Sequence, residues 1–205
     1  MFEKNYLSRR LFRHSPVKTV ISYPSLKHAL PQFCESTLEK EWCLQRDFNS
    51  KIETYQTQPF TLLINGIRYT PDAITREVDG TDYIEEVKPV DELKKPKVIE
   101  RLRKIECGLR EKGFRFRILT DESTRNRTYI ANLWLLKRHQ SHPHTLDWLS
   151  DAKKDLGATS SIGEVATWLT GQGIRVGGLY HAIGCEHMLC NLRGAIKSQS
   201  EVVFA

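Results

Sequence analysis

Apolar positions change their spacing several times along this chain, and each change marks an expected element. In "CESTLEKEWCLQRDF" (34–48), Leu38, Trp42 and Phe48, with Cys34 and Cys43 beside them, recur at helical spacing. Ser36 or Thr37 can cap the start, which places Glu39 in the first turn or two. Residues 59–89, "PFTLLINGIRYTPDAITREVDGTDYIEEVKP", read as a three-stranded meander turned at Asn65-Gly66 and Asp79-Gly80, two dipeptides that tolerate positive φ. Helical spacing returns at 96–113, where Val98, Leu102, Ile105 and Leu109 form a stripe and Gly113 ends it. "FRFRILTD" (114–121) alternates as a strand does, and "RTYIANLWLLKRHQ" (127–140) predicts another helix.

The order helix, three strands, helix, strand, helix constrains the topology. A strand–helix–strand step after Lys88 calls for a right-handed crossover, so the sheet is expected to be mixed with helices on its faces. The expected fold class is α/β, with its core over residues 31–140. At "SHPHT" (141–145) the texture changes. Helical stretches follow at "TLDWLSDAKKDL", "SIGEVATWLTGQG" and near "RVGGLYHAIGCEHM", then short strand-like pieces ending in "EVVFA". Two short helices joined by a Gly-containing turn, then a small hairpin, predict a winged-helix-like domain over 141–205. A plain helical appendage completing the core is the other reading.

Composition narrows the classes. With 40% apolar and 27% charged residues, the chain is globular rather than a disordered tail. No apolar run approaches the ~20 residues of a membrane span, and no signal-peptide core is evident. The five cysteines are odd in number and scattered, which predicts free thiols in a reducing cytoplasm. A net charge of +6 leans towards nucleic acid or another polyanion. The basic opening, 1–30, is broken by Ser-Pro and Tyr-Pro and reads as an extended arm. Its Arg9, Arg10, Arg13, Lys18 and Lys27 would be available to phosphates. A solvated lead-in segment explains the same residues.

The candidate chemistry lies in P-D…E-x-K. Side chains alternate along a strand, so Glu86 and Lys88 share a face and Glu85 takes the other. The Asp79-Gly80 hairpin brings Asp72, at the start of one strand, beside Glu86 and Lys88 at the end of its partner. The Val87 carbonyl belongs to the same spot. Two carboxylates and a carbonyl form a hard oxygen site suited to Mg²⁺, with Mn²⁺ as a substitute, rather than to zinc. Such an ion would neutralise a scissile phosphate and acidify a water, while Lys88 orients that water or stabilises developing charge. The competing reading is a surface salt-bridge cluster worth about 0–1 kcal/mol. Lys94, Lys95, Lys97 and Arg101 crowd the next stretch and would hold a phosphate backbone if they line the cleft. His181, Cys185, His187 and Cys190 match no common zinc spacing.

"STLEKEWCLQRDF", "TQPFTL", "RYTPDAI", "EVKP" and "FRFRILTD", in this order over 36–121, resemble the PD-(D/E)xK nuclease superfamily and, more closely, the TnsA family. TnsA proteins are the endonuclease subunits of heteromeric transposases; "SRRLFRHSPVKTVISYPSLKH" looks like those of CRISPR-associated transposons. The resemblance implies a restriction-endonuclease-like core and a winged-helix-like C-terminal part that engages the ATPase TnsC. It implies catalytic roles for Glu39, Asp72, Glu86 and Lys88, with Asp72, Glu86 and possible help from Glu39 on the metal. Glu86 stands where some members have Gln. The implied activity is Mg²⁺-dependent cutting of the 5′ strands of double-stranded DNA at transposon ends, beside the DDE transposase TnsB. A stand-alone restriction or repair nuclease and a non-catalytic DNA-binding assembly module remain as alternatives.

Overall fold

Strand β1 (Ile21–Tyr23) pairs antiparallel with β2 (Gln32–Cys34) in the computed structural model, which describes residues 20–140 and 144–205. Arg9, Arg10, Arg13 and Lys18 lie outside the described residues. From Ile21 onwards the expected arm is instead packed structure. Tyr23 is fully buried and donates its hydroxyl to Asp47 Oδ2 at 2.6 Å, and the Leu26 N–H reaches Oδ1 of the same residue at 3.1 Å. The Lys27 ammonium is taken up by the carbonyls of Asn49 and Ile52, so it is not offered to phosphates.

Helix α1 (Thr37–Asp47) begins where its side-chain chemistry dictates. Ser36 is extended at φ −147°, and its hydroxyl oxygen accepts the Glu39 N–H at 3.2 Å. The Glu39 carboxylate in turn accepts the Ser36 hydroxyl and the Glu35 N–H, each at 2.8 Å. Donors left orphaned at the helix start are thereby satisfied.

Strand β3 (Ile52–Thr57) follows, then a short ribbon of β4 (Leu62–Ile64) and β5 (Ile67–Tyr69), then β6 (Ala73–Glu77) and β7 (Asp82–Val87). Helix α2 (Pro96–Glu111) crosses to β8 (Arg115–Leu119). The sheet order is β3-β6-β7-β8, antiparallel except for the parallel β7–β8 pair that α2 bridges. The expected mixed sheet is present, but the expected meander is not. Asn65-Gly66 turns the separate β4–β5 ribbon, and the sheet's fourth strand is β3, a stretch that was not foreseen. Asp79-Gly80 does join two sheet strands, β6 and β7.

The two faces of the sheet differ in chemistry. Ile74 and Ile84 meet Ile105 and Leu109 of α2, with Ile64 and Tyr69 from the ribbon, in an apolar core. One residue along, Thr75 and Glu85 face the other way and take up polar partners, among them Arg46 of α1. Alternation along β6 and β7 thus gives one oily face and one face closed by buried charge.

The α2–ribbon contact explains a glycine inside a helix. A Cβ on Gly108 would stand 2.4 Å from Ile64 Cγ2 and 3.1 Å from Asn65 Nδ2. Ile64 is fully buried and cannot retreat. Gly108→Ala is therefore expected to destabilise the protein by about 1–3 kcal/mol through overpacking, although alanine is the better helix former. A urea midpoint equal to or above that of the wild type would refute this.

A second unit starts at Asn126. It contains α3 (Arg127–Gln140), α4 (Leu149–Leu156), β9 (Thr159–Ser161), α5 (Ile162–Gly171), α6 (Gly177–Gly184), β10 (Met188–Cys190) and β11 (Glu201–Phe204). Its three strands form an antiparallel sheet in the order β10-β11-β9. The expected hairpin is β10–β11, and β9 adds a strand to it. Helix α5 starts with a reciprocal capping box between Ser161 and Glu164. Helix α3 belongs to this unit rather than ending the first, because the Asn132 amide donates to the Leu192 and Gly194 carbonyls at 2.9 and 2.7 Å. The division falls between Arg125 and Asn126, ahead of the change of texture at 141. Among the described residues no helix is long and apolar enough to cross a membrane.

Candidate active site

Hairpin register assembles the site. Ala73 pairs with Glu85, so Asp72, one residue outside the ladder, lies beside the end of β7. There the Val87 N–H donates to Asp72 Oδ2 at 2.7 Å. The Lys88 N–H donates to the Leu119 carbonyl at 2.8 Å, which fixes the lysine backbone against β8. From this anchor the Lys88 ammonium reaches Glu86 Oε1 at 2.7 Å, the Val87 carbonyl at 3.2 Å and Asp72 Oδ2 at 3.4 Å. Glu86 Oε2 accepts the hydroxyl of buried Tyr69 at 2.9 Å. Glu85 is turned to the opposite face, as alternation requires.

These groups line a cleft of about 450 Å³ that Glu39, Gln58, Arg68 and Arg101 also border. Two of its carboxyls, those of Asp72 and Glu39, are held above their ordinary values. Burial, then the neighbouring Glu86 carboxylate, pushes the Asp72 carboxyl up to about 7, with only part of the effect offset by Lys88. Burial likewise raises the Glu39 carboxyl, against the hydrogen bonds from Glu35 and Ser36. Burial opposes the Lys88 ammonium, yet Asp72 and Glu86 outweigh it and hold its pKa above the ordinary value. Lys88 is thus a fixed cation and hydrogen-bond donor.

The donor set suits a hard divalent cation. Asp72, Glu86 and the Val87 carbonyl already converge on one positive charge, the Lys88 ammonium, and a buried carboxyl held as high as that of Asp72 gains from further positive charge. Among the described residues no three His, Cys, Asp or Glu side chains cluster as a ready metal cage. Glu35 and Glu39 also border the cleft, and the Glu39 carboxylate has both its oxygens engaged at the start of α1. His181 Nε2 in α6 and Cys185 Sγ, just past that helix's end, approach to 3.7 Å without a third ligand among the described residues.

Of the basic residues expected at DNA, Arg101 borders the cleft. Lys94 and Lys95 form exposed pairs with Asp91 and Glu92 in the 3-10 turn before α2, and Lys97 is exposed on that helix's first turn. Such pairs contribute little and leave both lysines free to exchange partners. Sequence reasoning missed Tyr69, Arg68 and Gln58. Arg68 and Tyr69 end the short strand just before Pro71-Asp72, and that proximity was their only signal. Gln58 had none beyond standing in "TQPFTL". No known family model matches the chain, and no curated protein matches it.

Proposed function

We propose that the chain is a Mg²⁺-dependent endonuclease of the TnsA kind. On this reading the first unit is a restriction-endonuclease-like core and the second is winged-helix-like. The protein cuts the 5′ strands of double-stranded DNA at the ends of a mobile element, beside a TnsB-type transposase and a TnsC-type ATPase. The observation that carries the reading is the Lys88 ammonium, gathered with the Asp72 and Glu86 carboxylates and the Val87 carbonyl at the end of a hairpin that opens on a polar cleft. A surface salt-bridge cluster would be exposed. Here Glu86 is 4% exposed, and Tyr69 holds it from behind.

Asp72, Glu86 and the Val87 carbonyl would hold Mg²⁺, or Mn²⁺ in its place. When bound, the ion supplies charge neutralisation at a phosphodiester and a more acidic water. The chain's own groups do the rest. Lys88 donates to the attacking water or to the phosphate oxygens as negative charge builds there. Tyr69 fixes the orientation of Glu86, while Arg68 and Arg101 at the cleft edge meet the strand's phosphates. Water oxygen bonds to phosphorus, the bond to the 3′ oxygen breaks, and a 5′-phosphate and a 3′-hydroxyl result.

Strand-resolved cleavage of a labelled duplex bearing the element's end, with Mg²⁺, the transposase and the ATPase, tests this reading. Wild type is expected to nick the 5′ strand, EDTA to abolish the nick, and Lys88→Ala to slow it by about 10²–10³-fold, the loss typical of removing one charge-stabilising donor. Undiminished nicking in EDTA would rule out the metal-dependent reading. Equal cutting without transposase and ATPase would make the chain a stand-alone nuclease.

A further inference from the structure

Where the Lys88 ammonium stands depends on backbone that lies outside the cleft. Strand β7 ends at Val87, and the Lys88 N–H extends the contact with β8 by donating to the Leu119 carbonyl. Pro89 comes next and has no N–H, so no ladder bond can hold the chain there. The next donor is the Val90 N–H, and a side chain takes it: Asp121 Oδ1 accepts it at 2.8 Å. Lys88-Pro89-Val90 is thereby pinned on both sides of the proline to the chain that leaves β8. A carboxylate is a stronger acceptor for such an N–H than a neutral oxygen.

Asp121 is itself held in place. It opens the 3-10 turn Asp121–Thr124, in which buried Thr124 donates its hydroxyl to the Asp121 carbonyl at 3.0 Å. The turn packs on α1, the helix that carries Glu39. Among the described residues the Val90 N–H is the one hydrogen-bond donor to the Asp121 carboxylate. Asp121 does not border the cleft, so it touches neither the reacting strand nor the candidate metal ligands. What it can move is Lys88, whose ammonium lies 2.7, 3.2 and 3.4 Å from its three acceptors. A shift of about 1 Å in a group that serves a reaction can cost about 10²-fold in rate. We infer that Asp121 is a positioning residue for strand cleavage: by accepting the Val90 N–H it clamps Lys88-Pro89-Val90 to the end of β8 and so sets where the Lys88 ammonium stands. This rests on the endonuclease reading, and it deepens that reading with a residue outside both the cleft and the P-D…E-x-K set.

The test uses the full chain, with Asp121→Ala to remove the acceptor and Asp121→Asn to keep an oxygen for the Val90 N–H. Amide hydrogen exchange at Val90, followed by NMR without DNA or metal, reads the clamp itself. Asp121→Ala should speed that exchange about tenfold or more, the loss of one hydrogen bond to a charged group, while the amides of β6 keep their protection. In the strand-resolved assay with transposase and ATPase, Asp121→Ala is expected to slow the nick by about 10–10²-fold and Asp121→Asn by less than about threefold. Affinity for a labelled duplex, measured by anisotropy in Ca²⁺, should not change, because Asp121 meets no phosphate. In a Lys88→Ala background, Asp121→Ala should cost nothing further, since it acts only through the lysine. A merely structural acid would slow both backgrounds by the same factor. Unchanged Val90 exchange in Asp121→Ala overturns the clamp, whatever the protein cuts. Faster exchange with wild-type cleavage overturns the positioning role, as does an equal loss in the Lys88→Ala background or a loss in Asp121→Asn as large as that of alanine. Lys88→Ala separates the two questions: wild-type cleavage by that protein sinks the nuclease reading and this inference with it, whereas slow cleavage beside an unaffected Asp121→Ala sinks only the role of Asp121.

Discussion

Asp72→Asn is expected to abolish Mg²⁺-dependent cleavage of the 5′ strand, by at least about a thousandfold, and to leave the fold intact. The loss corresponds to the several kcal/mol of charge stabilisation that a metal site contributes to a phosphoryl-transfer transition state. Asparagine retains an oxygen for the Val87 N–H, so the end of the β6–β7 hairpin keeps its closing bond. Lys88 keeps Glu86 at 2.7 Å. What disappears is negative charge at a position where the protein holds it at a cost. The folded pKa of Asp72 is about 7 against an ordinary 3.8, so ionising it weighs against the native state. That weight begins to act above pH 3.8, is complete near pH 7, and is absent from the variant. Melted without metal, Asp72→Asn should therefore gain on wild type as pH rises across that window, then hold its advantage. Cleavage at the wild-type rate would show the carboxylate to be dispensable. A stability advantage that falls as pH rises would show that the carboxyl is not held high by burial.

Glu85→Ala should be the most damaging substitution for stability, by about 3–5 kcal/mol, the usual cost of breaking a buried ion pair from one side. Glu85 has no exposed surface and stands between two guanidinium groups. Arg46 of α1 meets one oxygen, which Thr75 also donates to at 2.8 Å, and Arg117 of β8 meets the other at 2.5 Å. Burial by itself would raise the Glu85 carboxyl, but Arg46 and Arg117 outweigh it and hold its pKa below the ordinary value. Its contribution is therefore present above the unfolded-state pKa and lost as pH falls through the lower folded one. Removing the carboxylate strands Arg46, whose side chain is 5% exposed between Trp42 and Tyr55. Replacing both partners, Arg46→Met with Glu85→Leu, should recover much of the loss, because Arg46 is no longer buried without a partner and Arg117, 30% exposed, keeps Glu77 at 2.8 Å. Urea unfolding of the single and double variants decides. A single-variant loss under about 1 kcal/mol would mean that water or another cation reaches the site, and the pair would count as a surface one.

Much of the candidate site was legible because local rules place it. Alternation along β7 put Glu86 and Lys88 on one side and Glu85 on the other. The Asp79-Gly80 turn, with Gly80 at φ +83°, closed the hairpin that sets Asp72 against Val87. Ser36 as a cap put Glu39 in the first turn of α1. Each depends on neighbours within a few residues, or on a tight turn whose register follows from its length, and the sequence states both directly.

Tertiary structure alone decided the rest. Arg46 and Glu85 are 39 positions apart, and Tyr69 reaches Glu86 across 17. No periodicity announces such pairings, because they follow from the path of the chain between them. Ile52–Thr57 became a sheet strand by pairing with β6, and "LLINGIRY" turned away into a ribbon against α2, although both stretches carry strand-forming residues. Strand propensity reports fit to a pleated surface without saying which sheet supplies it. Helix α3 joined the second unit because its Asn132 satisfies carbonyls 60 and 62 residues away. The sequence by itself determined which side chains share a face and where helices and turns begin. Which faces meet, and so which residues complete the cleft around Asp72, was settled by burial and long-range hydrogen bonding, whose partners only a closed chain brings together.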